Sequence, residues 1–445
     1  MADPYDVLLK GGTIVNQNGR LRADLAIRAG RVAAFGALDK AVAAQVIDCT
    51  GLHILPGVID TQVHFREPGG EHKEDLESGS RAAVMGGVTA VFEMPNTSPQ
   101  TTSKDAMADK VARASNRMHC DFAFFIGGTR ENVDLLPELE LLPGCCGVKV
   151  FMGSSTGDLL VEDDAGIAAV LRKISRRAAF HSEDEAMLLA RKHIRVEGDP
   201  HSHTLWRNEE VALNCTRRLL DLARAAGKRV HVLHISTAQE MVLLADYRDV
   251  ASVEVTPQHL TLLADEAYTR LGTFAQMNPP LRNADHQRAL WAALNSGLVD
   301  VLGSDHAPHT KDEKAQTYPK SPSGMPGVQT LVPIMLNHVN AGRLSLERFV
   351  DLTSAGPARL YNIAGKGRIA EGYDADLTIV DLARTETITE NWVASKCGWT
   401  PFEGMKVTGW PVGTFVRGHK VMWQGELVGP STGQPVRFQD ALKRH

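Results

Sequence analysis

Side chains of metal-binding and acid–base types recur in this sequence at the ends of short apolar runs. The first such run, VIDTQVHFREPG over residues 58–69, carries Asp60, Gln62, His64 and Arg66 at alternating positions. Alternation is typical of a β-strand, in which every second side chain faces the same side. Imidazole and carboxylate groups on one face suit a zinc ion. A histidine at position 62 would complete a His-x-His pair, but glutamine stands there.

Five further candidates lie at or near the ends of later apolar runs, or within one: Asn96, Lys149, His181, His234 and Asp305. Burial of a lysine lowers its pKa because it disfavours the charged ammonium form. The neutral amine can then add CO₂ and become a carbamate, an oxygen ligand able to bridge two metal ions. An ordinary ion pair between Lys149 and Asp305 is the alternative, and the residue types alone leave both open. The set as a whole predicts a metal site with nitrogen and oxygen ligands.

Most of the 17 histidines receive no functional interpretation. A single histidine at a strand end is more often structural than ligating. The chosen residues are singled out because several of them share this position at strand ends. His231 lies three residues before His234, and strand alternation turns it away from the predicted pocket. Four others are expected to be surface or core residues: His53, His119, His193 and His445.

Eight β-rich runs must position these side chains. They are HILPGVIDTQVHF, VTAVFEM, DFAFFIGG, GVKVFM, RRAAFH, KRVHVLHIS, SVEVT and VDVLGS. Segments between them, such as GIAAVLRKISRR, have apolar residues at helical spacing. Apolar strands that alternate with amphipathic helices predict an α/β fold, here a (β/α)₈ TIM barrel over residues 53–365. Catalytic groups of such barrels collect at the carboxyl ends of the strands, so the candidates would meet at one face.

The two ends of the chain have a different pattern, with alternating polarity and many glycines. Residues 1–52 and 366–445 therefore predict one small composite β-sandwich domain built from both termini. Within the barrel, residues 310–327 read TKDEKAQTYPKSPSGMPG, a polar stretch that is a candidate for a mobile loop.

Composition excludes several function classes. The net charge of -5 gives no electrostatic case for nucleic-acid binding. No apolar stretch approaches the roughly 20 residues of a membrane helix, and the N-terminal MADPYDVLLKGG lacks the features of a signal peptide. The six cysteines form no C-x-x-C pair, which predicts reduced thiols and a cytoplasmic protein.

An ordered set of motifs resembles the amidohydrolase superfamily and, in its cyclic-amidase branch, the dihydroorotase family. The set is VIDTQVHFREPG, FEMPNT, GVKVFMGSSTG, FHSEDE, VLHISTA, MNPPLR, GSDHAPH and GYDADLTIVD, and it covers nearly the whole chain. The resemblance implies one or two zinc ions. His64 and Asp305 would bind the more buried ion, Lys149, carboxylated by CO₂, would bridge, and His181 and His234 would hold the second ion.

The resemblance also implies a substrate and a reaction. Arg66, Asn96 and His309 would bind a substrate carboxylate, and Asn278 would position the ring. Zinc lowers the pKa of a bound water to about 7. The resulting hydroxide would attack the cyclic amide of (S)-dihydroorotate, with Asp305 as general acid and base. The product is N-carbamoyl-L-aspartate, and the reverse reaction is a step of de novo pyrimidine biosynthesis.

A sister cyclic amidase, such as an allantoinase or dihydropyrimidinase, is one alternative. Allantoinases tend to have Asn-Glu-Pro where this chain has the Arg-Glu-Pro of residues 66–68. Dihydropyrimidinases and hydantoinases typically have a tyrosine where Gly153 and Ser154 stand. An arginine suits a carboxylate because its planar fork bonds both oxygens. Both comparisons favour an anionic substrate.

The second alternative is a non-catalytic relative that serves as a scaffold for aspartate transcarbamoylase. It arises because Gln62 replaces the first histidine of the family's His-x-His, and an amide is a weaker zinc ligand than imidazole. Gln258, in TPQH, is a second departure from the family's usual TPHH. The retention of the other ligands favours an enzyme. Association with the transcarbamoylase and a homodimer are expectations that rest on the resemblance alone.

Overall fold

The structure is a computed structural model that describes residues 4–154 and 159–442. Three parts of the sequence predictions lie outside the described residues. They are His445, the extreme ends of the predicted composite domain (1–3 and 443–445), and residues 155–158 of the GVKVFMGSSTG motif.

Nineteen strands occur among the described residues. Those before the barrel are β1 (Tyr5–Lys10), β2 (Thr13–Asn16), β3 (Gly19–Arg22), β4 (Asp24–Arg28), β5 (Arg31–Gly36), β6 (Ala43–Asp48) and β7 (His53–Pro56). The barrel strands are β8 (Val58–Val63), β9 (Val88–Glu93), β10 (Asp121–Gly127), β11 (Cys145–Phe151), β12 (Ala178–His181), β13 (Val230–Val232), β14 (Ala251–Val255) and β15 (Val301–Leu302). Four follow it: β16 (Leu377–Thr387), β17 (Lys406–Val416), β18 (His419–Trp423) and β19 (Glu426–Leu427).

The eight strands β8 to β15 are parallel and hydrogen-bonded in chain order. The ring closes through a parallel bridge between Val63 and His306 and a 2.7 Å bond from the His64 N–H to the His306 carbonyl. All seven residues of β10, DFAFFIG, are buried, as expected for a strand covered on both faces. The predicted (β/α)₈ fold is confirmed.

Helices follow the barrel strands. They are α1 (Leu76–Met85), α2 (Lys104–Ala114), α3 (Leu136–Leu139), α4 (Asp164–Lys173), α5 (Glu185–Ala190), α6 (Ser202–Trp206), α7 (Glu209–Ala225), α8 (Ala238–Ala245), α9 (Pro257–Thr261), α10 (Ala264–Leu271), α11 (Ala284–Ser296), α12 (Lys311–Lys314), α13 (Leu331–Asn340), α14 (Leu346–Val350), α15 (Gly356–Tyr361) and, near the C-terminus, α16 (Gln439–Leu442). Short polar side chains begin several of them; Asp75, for example, accepts the Ser78 N–H at the start of α1. No helix of the described residues is long and apolar enough to cross a membrane.

The remaining strands form two sheets, with the orders β5-β4-β1-β6 and β19-β18-β17-β16-β7-β2-β3. Both termini contribute strands, and apolar side chains of both sheets lie in one cluster, among them Leu9, Ile27 and Ile379. This is the β-rich domain expected beside the barrel. The limits predicted for it, 1–52 with 366–445 beside a barrel of 53–365, stay a prediction.

The run HILPGVIDTQVHF contains two strands, where the sequence pattern predicts one. Strand β7 pairs with β2 and β16 in the terminal sheet, and only β8 belongs to the barrel. The chain passes from one sheet to the other at Gly57, where a Cβ would lie 2.2 Å from Thr89 Oγ1. A side chain therefore does not fit at this crossing.

The C-terminal segment beyond β19 lies under the amino-terminal end of the barrel. Val436 and Phe438 are buried in a cluster with barrel residues, and the Phe438 ring centroid is 5.9 Å from that of Phe92. The Val436 N–H bonds the Phe122 carbonyl at 2.8 Å. The segment thus covers the end of the barrel opposite to the predicted site.

The polar loop 310–327 is packed against the barrel, and its mobility stays a prediction. Lys314 is buried, and its Nζ donates to the carbonyls of Pro322 at 2.8 Å and Gln276 at 3.2 Å. Ser323 and Gly324 line the cavity described below. The loop therefore covers part of the predicted site.

Candidate functional site

A small cavity lies at the carboxyl ends of the barrel strands. Seven of the predicted residues line it: His64, Arg66, Lys149, His181, His234, Asn278 and Asp305. Gln62 and Phe151 line it as well. Its volume of about 20 Å³ is room for about one water molecule or ion. A wider outer cleft of about 880 Å³ shares Arg66 with the cavity and is lined by Asn96.

Three of the predicted residues have left-handed backbone conformations. The φ angles are 66° at Arg66, 37° at His234 and 44° at Asp305. Eight non-glycine residues in the described part of the chain have positive φ, and these three line one cavity. Such conformations are strained for residues with a Cβ and often occur at functional sites. Here each follows a barrel strand and turns its side chain inward over the barrel.

His64 and Asp305 form the first pair of ligand-type groups. The His64 Nδ1–H donates to Asn96 Oδ1 at 2.8 Å, and Nε2 lies 3.3 Å from Asp305 Oδ1. Burial lowers the pKa of His64 and favours the neutral ring. In this tautomer the Nε2 lone pair faces a carboxylate oxygen, so both atoms can bind one cation. Two ligand atoms of a tetrahedral zinc ion are about 3.3 Å apart, so the pair fits two corners of a metal site.

His181 and His234 form the second pair. His181 donates its Nε2–H to Glu183 Oε2 at 2.9 Å, so Nδ1 carries the lone pair. That Nδ1 lies 3.1 Å from His234 Nε2. A carboxylate that fixes the tautomer and orientation of a histidine is a common partner of metal-ligating imidazoles. This pair also fits two corners of a metal site.

A third ligand for either pair must come from another residue type. Within residues 4–154 and 159–442, no group of three or more His, Cys, Asp and Glu side chains is suited to hold a metal. Lys149 lines the same cavity, is 1% exposed and has its Nζ 4.4 Å from the centroid of the Phe151 ring. Burial lowers the pKa of Lys149 to about 7. Much of the amine is therefore uncharged near neutral pH, the form that can add CO₂.

Arg66 and His309 are in contact at the junction of the cavity and the outer cleft. Arg66 Nε donates to the Pro308 carbonyl at 3.1 Å, and Nη2 lies 3.3 Å from His309 Nε2. Lys73 Nζ donates to His309 Nδ1 at 3.1 Å. Burial, with the charges of Arg66 and Lys73, holds the pKa of His309 well below its usual range. Lys73 is also paired with Glu313 Oε1 at 3.1 Å, so Arg66 is the positive charge of this group that suits an anionic ligand.

Asn278 is held by a histidine that the sequence did not single out. His203 Nε2–H donates to Asn278 Oδ1 at 2.9 Å. Burial lowers the pKa of His203 to about 3, so the ring is neutral at physiological pH. The side-chain amide of Asn278 is therefore fixed at the edge of the cavity.

All nine predicted site residues meet at one end of the barrel, while their individual roles stay predictions. Three partners were missed: Glu183, His203 and Lys73. Glu183 follows His181 by two residues, a spacing from which it could have been found, whereas Lys73 and His203 lie in loop or helical segments without a comparable pattern. His231 does not line the cavity and bonds Ser252 Oγ at 2.9 Å. His53, His119 and His193 do not line it either.

A (β/α)₈ barrel with polar side chains at the carboxyl ends of its strands is the arrangement of a barrel enzyme. The chain belongs to the amidohydrolase family, whose pattern matches residues 53–421. It is 38% identical over 429 residues to a dihydroorotase of Halobacterium salinarum, covering 94% of this chain and 97% of the relative.

Hydantoinases are similarly close. The chain is 35% identical over 453 residues to an L-hydantoinase of Paenarthrobacter aurescens, covering 97% of this chain and 98% of that one. It resembles the solved structure of an L-hydantoinase (dihydropyrimidinase) from Arthrobacter aurescens with a TM-score of 0.93 and 33% identity, covering 97% and 99% of the two chains. The relatives thus agree on the family and differ in the substrate that they are named for.

Proposed function

We propose that the protein is a zinc-dependent cyclic amidohydrolase that interconverts (S)-dihydroorotate and N-carbamoyl-L-aspartate. The observation that carries the proposal is the contact between Arg66 and His309 beside a cavity lined with metal-ligand side chains. The ring of dihydroorotate bears a carboxylate, and a buried guanidinium is a suitable partner for it.

The metal would be held by the residues predicted from the sequence. His64 and Asp305 would bind one ion, His181 and His234 the other, and a carboxylated Lys149 would supply an oxygen ligand to both. The fit rests on the two ligand pairs, whose facing atoms are 3.3 and 3.1 Å apart, and on the buried amine of Lys149 in the lining of the same cavity. A zinc ion supplies a bound water of lowered pKa and polarises the scissile carbonyl.

The side chains of the protein have separate tasks in this scheme. Asp305 accepts a proton from the attacking water and delivers it to the leaving ring nitrogen. Arg66, Asn96 and His309 bind the substrate carboxylate and so fix the ring. Asn278, oriented by His203, positions the ring.

The main competitor is a hydantoinase or dihydropyrimidinase, because an L-hydantoinase is 35% identical over 97% of this chain. Hydantoin and dihydropyrimidine rings bear no carboxylate, so the protein would need no charged partner for one. The buried guanidinium of Arg66, beside the neutral ring of His309, favours the anionic substrate. A cytoplasmic location, a role in pyrimidine biosynthesis, a homodimer and an association with aspartate transcarbamoylase stay predictions.

The test is zinc analysis together with activity on dihydroorotate, a hydantoin and allantoin. We expect zinc in the purified protein and hydrolysis of dihydroorotate. Zinc-loaded protein that has been supplied with bicarbonate and is inert toward dihydroorotate would overturn the proposal.

A further inference from the structure

Gln62 donates a hydrogen bond to the oxygen of Asp305 that a metal ion at the His64–Asp305 pair would bind. Its Nε2 donates to Asp305 Oδ1 at 2.9 Å, and its backbone N–H donates to Asp60 Oδ1 at 3.2 Å. Gln62 is 1% exposed and lies in β8, which pairs with β9. The bond to Asp305 is charge-assisted and shielded from water, so a competing cation must displace it.

The two ligand pairs are therefore unequal. The His181–His234 pair offers two imidazole nitrogens, and Glu183 holds His181 in the ligating tautomer. The His64–Asp305 pair offers one imidazole and one carboxylate oxygen that already accepts a hydrogen bond. The third side chain at this position is an amide, a weaker ligand for zinc than imidazole.

We propose that Gln62 makes the site retain a single zinc ion, on the His181–His234 side, while the His64–Asp305 side binds zinc weakly. This rests on the proposed metal-dependent function. In such a site Asp305 is held by the Gln62 amide and is free of a tightly bound ion, which leaves its carboxylate available for proton transfer.

The orientation of the amide defines the opposing possibility. The Gln62 Oε1 atom is buried without a hydrogen-bond partner among the described residues. Rotation of the amide by half a turn would place Oε1 against Asp305 Oδ1, two oxygens that repel each other unless a cation lies between them. If zinc imposes that orientation, Gln62 becomes a ligand and the protein retains two ions.

The experiment measures zinc per chain by elemental analysis after zinc and bicarbonate loading and gel filtration in metal-free buffer. We expect about one zinc in the wild type and about two in Gln62→His. Gln258→His is the matched control, because Gln258 does not line the cavity and bonds the Ser304 carbonyl at 2.7 Å. It should retain about one zinc, with all variants checked for wild-type thermal melting.

Two further variants locate the ion without relying on the folding of Gln62→His. His234→Asn should lose the retained zinc, and His64→Asn should keep it. Two zinc ions in the wild type, an unchanged count in folded Gln62→His, or loss of the ion in His64→Asn with retention in His234→Asn would each overturn the proposal. Because zinc is counted without substrate, the result is independent of whether dihydroorotate proves to be the substrate.

Discussion

Replacement of Arg66 by glutamine should cost the enzyme its recognition of a ring carboxylate. The guanidinium is buried at the junction of cavity and cleft, and its Nε donates to the Pro308 carbonyl. Truncating one partner of a buried, hydrogen-bonded charge pair costs about 2–5 kcal/mol. At about 1.4 kcal/mol per factor of ten, kcat/KM for dihydroorotate should fall by roughly 30-fold to several thousand-fold.

Arg66→Lys is the graded variant. Lysine keeps the charge but not the planar fork that bonds both carboxylate oxygens. We expect its loss in kcat/KM to be smaller than that of Arg66→Gln and still measurable. Both variants lie on the same left-handed backbone, with φ of 66°, so a difference between them reports the side chain.

The assay is steady-state hydrolysis of dihydroorotate and of dihydrouracil, the ring without the carboxylate. Zinc content and thermal melting of each variant serve as controls for the metal site and the fold. The reasoning is refuted if Arg66→Gln keeps kcat/KM for dihydroorotate within a few-fold of wild type. It is also refuted if the variant loses activity on both rings by the same factor, since the lost interaction would then be unrelated to the carboxylate.

Three other predictions concern different parts of the molecule. Lys149→Ala should lose bound zinc and most activity and gain nothing from added bicarbonate; full zinc content and rate would show that no carbamate is needed. Burial lowers the pKa of His338 to about 4, below the unfolded value of about 6.5. The folded protein therefore resists protonation of this ring, and its free energy of unfolding falls as the pH drops from 6.5 toward 4. In His338→Gln the free energy of unfolding should fall less over this pH window, by up to about 3 kcal/mol. Denaturant melts at several pH values measure it, and the same pH dependence as wild type would count against the prediction. Phe438→Ala should destabilise the barrel by about 3–5 kcal/mol, because Phe438 is buried against Phe92; a wild-type melting temperature would contradict the packing of the C-terminal segment.

The barrel could be predicted because its strands are buried on both faces and so have continuous apolar sequences, as in β10. Candidate residues could be predicted because position at a strand end is visible in the sequence. His64, His181 and Asp305 each follow or end such a run, and the closed barrel brings them to one cavity.

Contacts between distant parts of the chain could not be predicted in the same way. The division of the first run at Gly57 depends on Thr89 and Asp376, which a side chain at that position would meet. The packing of Phe438 below the barrel has no local sequence pattern. The bond of Gln62 to Asp305 joins residues 243 positions apart, so the sequence shows the missing histidine but not what its replacement does.

The most direct test of the central claim is the ratio of kcat/KM for (S)-dihydroorotate to that for an L-configured hydantoin, measured on zinc-loaded wild type. A charged pocket built around Arg66 predicts clear preference for dihydroorotate, by about a factor of ten or more, since a single buried charge-assisted contact contributes about 1.5–3 kcal/mol. Preference for the hydantoin, or hydrolysis of the hydantoin alone, would contradict the account.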